Sequence, residues 1–392
     1  MSDIVIKTIH AHEVLNATGN PTLELELFFS NGHHIRTVVP SADTKNIDPR
    51  VNELRDQDPM RFNGLGLQKA ATIINSQIAG RLVNHLPYKQ QDFDTWLLDV
   101  DGTENHSKLG INTINALSWM MARAGAYVQG IPLFYYINRL YNSFAPKKPV
   151  ELTRIPTPQY CLINGGQHGG DLDFEEFYFI PSSTIPFASS FQTAVEMFQE
   201  LEDVCKTKNL ERTFSTRGGY ILRNITNLEA LDLINDLVVQ KNLKVGLEAF
   251  YGIRCNAQHY YANNRYTIKD RGGAIKSDEY FKWVQQFCEK YSLLCIEDVF
   301  QKDDWDSWRR LYAQIAEQTY VLAHDLSARG LENGRIEEIA REKAATTISV
   351  EPYILGTLSD GLKKAAYIRE QGLGVSLLPQ TEETGDDFLA DF

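Results

Sequence analysis

At 392 residues the chain exceeds the length at which one hydrophobic core stops growing, so two domains are expected. Apolar residues make up 43% and charged residues 23%, a globular balance that excludes a disordered chain. The formal net charge of -12 argues against nucleic-acid and anionic-membrane partners, and no block of consecutive Lys or Arg offsets it.

The first forty residues read as a three-stranded meander. Ile4–Val14 forms an opening strand, and Leu23, Leu25 and Leu27 alternate with Glu24 and Glu26 in a second. Asn31-Gly32 supplies a positive-φ turn, and His33–Val39 returns before Pro40. Gln68–Leu86 and Ile111–Val128 place apolar residues at helical spacing. Pro146, Lys147, Lys148 and Pro149 mark a linker, which puts the domains at 1–142 and 143–392. Beyond Ile155-Pro156-Thr157-Pro158, short apolar runs alternate with amphipathic helices. The runs are Tyr160–Ile163, Phe177–Ile180, Lys244–Leu247, Leu293–Ile296, Tyr320–Ala323, Thr346–Val350 and Gly374–Leu378. Helices are read from Ala188 to about Lys206 and over Ser277–Tyr291, Trp305–Glu317, Arg335–Lys343 and Leu358–Gln371. This alternation predicts an α/β fold whose parallel sheet is wound with helices, a (β/α)8 barrel rather than an open sheet.

The cysteines, Cys161, Cys205, Cys255, Cys288 and Cys295, are scattered and contain no Cys-x-x-Cys pair. They signal neither a zinc site nor a redox couple and fit reduced thiols in a cytoplasmic protein. Met1–Glu13 shows no secretory signal, and no apolar stretch reaches the ~20 residues of a membrane helix.

Several segments, in order and at matching spacing, resemble enolase, the phosphopyruvate hydratase of glycolysis. Asn16-Ala17-Thr18-Gly19-Asn20-Pro21-Thr22 is similar to the family's Asp-Ser-Arg-Gly-Asn-Pro-Thr. Glu53-Leu54-Arg55-Asp56, Asp101-Gly102-Thr103-Glu104-Asn105, Ile296-Glu297-Asp298, Asp303-Asp304-Trp305, Gly356-Thr357-Leu358-Ser359 and Glu383-Thr384 match as they stand. Asn164-Gly165-Gly166-Gln167-His168 resembles the family's glycine-glycine-serine-histidine turn. The resemblance implies a small N-terminal α+β domain followed by an enolase-type TIM barrel. It also implies dehydration of 2-phosphoglycerate to phosphoenolpyruvate with two magnesium ions, which neutralise the dianion formed when a weakly acidic proton beside a carboxylate is removed.

At the positions that carry this chemistry in the family, the residues differ. The three strand-end metal ligands correspond to Glu248, Glu297 and His324, a nitrogen standing where magnesium wants oxygen. The base lysine corresponds to Glu351, and the acid glutamate to Arg217, whose guanidinium cannot give up a proton near neutral pH. The phosphate cradle reads Leu378-Pro379-Gln380-Thr381, so Pro379 and Gln380 stand where the family has histidine and arginine. In the loop Ser41–Asn46, Thr44 stands in for a serine ligand, while His168 and Glu176 survive. The exchange of sign between Arg217 and Glu351 predicts that Arg217 pairs with Glu351 or with a surviving acid such as Glu176 or Glu297. Phe392 follows closely on the seventh strand, so the eighth strand–helix unit is expected to be missing and the barrel incomplete.

Together these substitutions predict an enolase-like pseudoenzyme, not a working enzyme, retained for binding or scaffolding with a protein partner or a second copy. They predict no cofactor and a degraded magnesium site, with Glu248, Glu297 and His324 open to a transition metal instead. The alternatives are a lyase of the same superfamily with altered chemistry or metal, and a divergent hydratase that keeps its activity.

Overall fold

The structure, a computed structural model, describes residues 4–42, 48–87, 89–380 and 382–392. They form two compact units, neither continuous in sequence. The first comprises Met1–Leu152, Glu351–Glu370 and Leu377–Phe392; the second comprises Thr153–Val350 and Gln371–Ser376.

In the first unit, β1 (Ile6–Leu15), β2 (Pro21–Phe29) and β3 (His34–Val38) form an antiparallel sheet in that order. Ile9 pairs with Leu27 and Ala11 with Leu25, which keeps the apolar residues on one face against the core. The opposite face is not fully solvated. Glu24 is buried because His12 Nε2 at 2.9 Å and Arg36 Nε at 3.0 Å cover its carboxylate. The chain reverses at Gly32, whose φ of +86° belongs to the left-handed region where a side chain would be strained. The helix Ile111–Gln129 is buried along most of its length and stops at Gly130, which is left-handed with φ +65°. Residues 377–392 complete this unit. Phe388 stacks on Trp119 at 4.4 Å, and Arg123 donates to Asp386 and Asp387.

The second unit holds β4 (Tyr160–Asn164), β5 (Glu176–Pro181), β6 (Arg212–Phe214), β7 (Tyr220–Leu222) and β8 (Ala249–Arg254). A small antiparallel sheet follows, β9 (Tyr261–Ala262), β10 (Arg265–Ile268) and β11 (Gly273–Lys276). Then come β12 (Leu293–Glu297), β13 (Tyr320–Ala323), β14 (Thr347–Val350) and β15 (Gly374–Leu377). The main sheet has nine strands in the order β15-β14-β13-β12-β8-β5-β4-β7-β6. It is mostly parallel, with helices Phe187–Thr207, Asn227–Gln240, Ser277–Lys290, Trp305–Ile315 and Asn333–Glu342 between strands. Against the all-parallel expectation, β5 runs antiparallel to both β4 and β8, and β6 antiparallel to β7. The strand read at Lys244–Leu247 is displaced. Those residues form a turn, with Val245 and Leu247 exposed, and the buried run is Ala249–Arg254.

Candidate active site at the strand ends

Pairing register alone gathers the polar residues of the second unit. Asn164, the last residue of β4, is opposite Glu176, the first of the antiparallel β5. Glu176 is opposite Arg254, the last residue of β8, and Arg254 is opposite Glu297, the last of β12. His324 lies one residue beyond β13. These positions form one rim, the end of a parallel α/β sheet at which barrel enzymes build their sites. Each strand is apolar until this rim, so the charge there is placed by the strands rather than scattered along them.

Two loops add to the rim. Gly165-Gly166-Gln167-His168 leaves β4 in a tight turn that needs its first glycine, since a Cβ at Gly165 would lie 2.5 Å from Leu172 Cβ and from the Phe174 carbonyl oxygen. The β6–β7 turn carries Arg217. Ser215 Oγ accepts the Arg217 backbone N–H at 3.0 Å, and Asn164 Oδ1 accepts the Gly219 N–H at 2.8 Å, docking the turn on β4. Arg217 Nε then donates to Glu176 Oε1 at 3.0 Å, with both side chains below 10% exposure. Arg217 therefore meets the surviving acid Glu176, one of the three partners expected for it. Tyr178 also donates its hydroxyl to Glu176. Burial pushes the Glu176 carboxyl up, but the guanidinium of Arg217, that of Arg254 and the Tyr178 hydroxyl outweigh it and bring it down to about 2.

Arg254 occupies the middle of the group. Its Nε lies 3.6 Å from Glu175 Oε2, and its Nη2 donates to His324 Nδ1 at 3.3 Å. That donation makes Nδ1 an acceptor and assigns the imidazole proton to Nε2. Burial acts to lower the Arg254 pKa. The carboxylates of Glu297, Glu175, Glu176 and Asp298 reverse this and raise it well above the ordinary guanidinium value.

Asp298 turns the chain just after β12 with φ +46°, an uncommon conformation for a residue with a side chain. The turn lets its Oδ1 accept the backbone N–H groups of His324 at 2.9 Å and Asp325 at 3.0 Å. Its Oδ2 lies 3.8 Å from His324 Nδ1. Burial, then the charges of Asp325 and Glu297, raise the Asp298 carboxyl to about 7 despite His324 and Arg254. His168 is shifted the other way. Burial lowers its pKa, while Glu175 and Glu176 work to raise it and Arg217 and Arg254 to lower it. The rim thus holds a neutral imidazole and a carboxyl that titrates near neutrality, a pair of groups able to accept and to give a proton.

Of the remaining sequence candidates, Glu351 follows directly on Val350, the last residue of β14. Glu248 is corrected as a ligand of the same ion as Glu297 and His324, because it sits at the opposite end of β8. There it closes the turn before the strand, accepting the Lys244 N–H at 2.9 Å. The strand-end position it was assigned belongs to Arg254, six residues on. Glu351, Pro379 and Gln380 belong to the first unit, where Gln380 Nε2 donates to Glu351 Oε2 at 2.9 Å. Thr44 is outside the described residues.

Magnesium, implied by the resemblance, can be tested against these donors. It needs oxygen ligands in near-octahedral geometry. Glu297 has a buried Oε1 that takes no hydrogen bond from a described residue, as an empty ligand position would. Its neighbours along the rim are Arg254, which has only N–H donors, and the imidazole of His324. Asp298, His324 and Asp325 bring one ligand atom each within 4.8 Å of one another. Yet Asp298 Oδ1 already accepts two backbone N–H groups, and Arg254 Nη2 faces the imidazole Nδ1. The residues present do not fit magnesium.

Two family models match the chain. One, described as the enolase N-terminal domain, covers residues 6–137; the other, the enolase C-terminal TIM barrel domain, covers residues 152–392. The expectation of a catalytically inactive homologue is overturned by these matches. Both domains of a lyase family are present along almost the whole chain, and substituted positions are not evidence of lost activity.

Proposed function

Because this chain belongs to the enolase family, we propose that it is a carbon–oxygen lyase that dehydrates a small carboxylic acid with a rearranged acid–base set. The observation that carries the reading is the strand-end rim itself. A buried cation, Arg254, lies among Glu175, Glu176, Glu297 and Asp298, next to one imidazole held neutral and one carboxyl poised near neutral pH.

Dehydration of a hydroxy acid removes a proton beside the carboxylate and expels hydroxide from the next carbon. The negative charge that builds on the carboxylate needs a fixed positive neighbour, and a guanidinium held in place by surrounding acids supplies one without reorganisation. His168 accepts the proton, as a neutral imidazole can. Asp298, the carboxyl poised near neutrality, supplies the proton to the departing hydroxide. Arg217 is committed to Glu176 and keeps that carboxylate ionised rather than acting as an acid. The absence of Cys-x-x-Cys pairs and of disulfides among the described residues supports a reducing compartment for this activity.

The test is a panel of 2-phosphoglycerate and unphosphorylated 3-hydroxy acids, followed by the ultraviolet absorbance of the conjugated product. At least one member should be converted, with turnover falling about 100-fold or more in His168→Ala. Folded protein that converts none of them, or an unaffected His168→Ala, refutes the reading. Conversion of 2-phosphoglycerate itself would identify a hydratase working with Glu351 at the lysine position.

A further inference from the structure

We infer that the Arg254 guanidinium is the resident cation of the strand-end site, a protein-supplied charge in place of a divalent metal ion. The grounds are positional. Among the described residues of the rim, Arg254 alone is flanked in register by a carboxylate on both sides, Glu176 on β5 and Glu297 on β12. Glu175 closes from the preceding loop, its Oε2 3.6 Å from Nε, and its backbone N–H donates to the Arg254 carbonyl oxygen at 2.9 Å. His324 takes the hydrogen bond from Nη2. A buried ring of acids repels itself unless a cation lies within it, and several unpaired carboxylates in a protein interior are not tolerated.

The guanidinium satisfies the electrostatic requirement that a divalent ion would meet, but in a different way. It is carried by the chain, so the acids have a cation among them whenever the protein is folded, whatever the ion content of the solution. It also excludes the ion. A metal at this point would need Arg254 to swing away from four acids, and both cations cannot share one set of oxygens. Arg254 is planar and donates in fixed directions, so it also fixes the His324 tautomer.

The inference stands apart from turnover, because its readout is thermal unfolding. The midpoint of the unaltered protein should be the same in magnesium, in manganese and in chelator, once ionic strength is matched with sodium chloride. In Arg254→Ala the midpoint should fall, and both ions should raise it saturably by preferential binding to the folded state. Adding Glu297→Gln to that variant should abolish the rise. A saturable magnesium-induced rise in the unaltered protein that Glu297→Gln removes overturns the inference. So does an Arg254→Ala variant that stays as stable as the parent and indifferent to both ions. If Arg254→Ala does not fold, Arg254→Lys keeps a cation at the position. It should fold and remain indifferent to metals, and a magnesium-dependent Arg254→Lys protein overturns the inference equally.

Discussion

Glu176 and Arg217 depend on one another more than on anything else in the second unit. Deleting the guanidinium leaves a buried carboxylate without the first of the groups that hold it ionised, so Arg217→Met should cost about 3–5 kcal/mol at pH 7. The double variant Arg217→Met/Glu176→Gln should recover most of that in urea titrations, since no charge is then stranded. The folded Glu176 pKa, about 2, lies below its ordinary 4.5. The stabilisation is therefore complete above about 4.5 and is lost as pH falls toward 2. Asp298 has the opposite sign. Its folded pKa is raised from 3.8 to about 7, so its penalty is absent below about 4, grows across that window and is complete above 7. Asp298→Asn, whose amide oxygen can still accept the two N–H groups, should raise the melting temperature at pH 8 and change it little at pH 4. No difference between the two pH values would mean that Asp298 carries no buried charge. That Arg217 pairs with an acid was legible in the sequence, because the Arg217 and Glu351 positions had exchanged sign, though Glu176 was one of three partners left open. Arg254 was not legible. Gly246-Leu247-Glu248 looks like a strand ending in an acid, and only the continuation of the buried run through Ile253 shows that the strand ends later. Asp325 is adjacent to His324, and the alternation of strand side chains does not separate them, because β13 stops at Ala323 and both lie in the turn beyond it.

At the scale of the elements, periodicity did well wherever one face is buried. The runs at Tyr160, Phe177, Leu293, Tyr320, Thr346 and Gly374 all became strands, and the helices between them lie within a few residues of their expected limits. The small β9–β11 sheet and the helices Gln90–Asp101 and Leu133–Phe144 escaped, and two further features did so for different reasons. The β6–β7 hairpin is too short, at three residues a strand, to show alternation. The helix Asn227–Gln240 did carry a signal, Thr226 and Glu229 spaced as a reciprocal cap, and the structure forms that capping box. Substituting Thr226→Ala should cost about 1 kcal/mol in urea unfolding, a loss that Thr226→Ser should avoid. The β4–β5 loop is the more sensitive element. Gly165→Ala would force the loop away from Leu172 and the Phe174 carbonyl oxygen, destabilising by about 1–3 kcal/mol. Because His168 is carried on that loop, its ring resonances should shift by nuclear magnetic resonance, whereas Thr226→Ala should leave them in place.

For the molecule as a whole, family-level motifs revealed more than composition. Net charge and apolar content excluded classes of partner, but the two-part architecture followed from eight short segments in fixed order. What no segment showed is that residues 351–370 and 377–392 pack with the N-terminal unit. Phe388 is 1% exposed and stacks on Trp119, so Phe388→Ala should cost about 3–5 kcal/mol by urea unfolding. The same reasoning forecasts that residues 1–152 expressed alone are far less stable than within the chain, which limited proteolysis would reveal as rapid loss of the fragment.

The discontinuity of the first unit also bears on how the chain is made. Ribosomes release a protein from its N-terminus, at ~5–20 residues per second. Leu152 has left the ribosome while the segment from Leu377 to Phe392 is still to be translated, roughly 240 residues after Leu152 at its end. For an interval of roughly 12–50 seconds, Trp119 has no Phe388 and Arg123 has neither aspartate. The unit that begins first is among the last to be finished, so its apolar helix Ile111–Gln129 needs shelter during synthesis. Nascent chains stalled just short of Leu377 should therefore recruit chaperones more strongly than chains released whole.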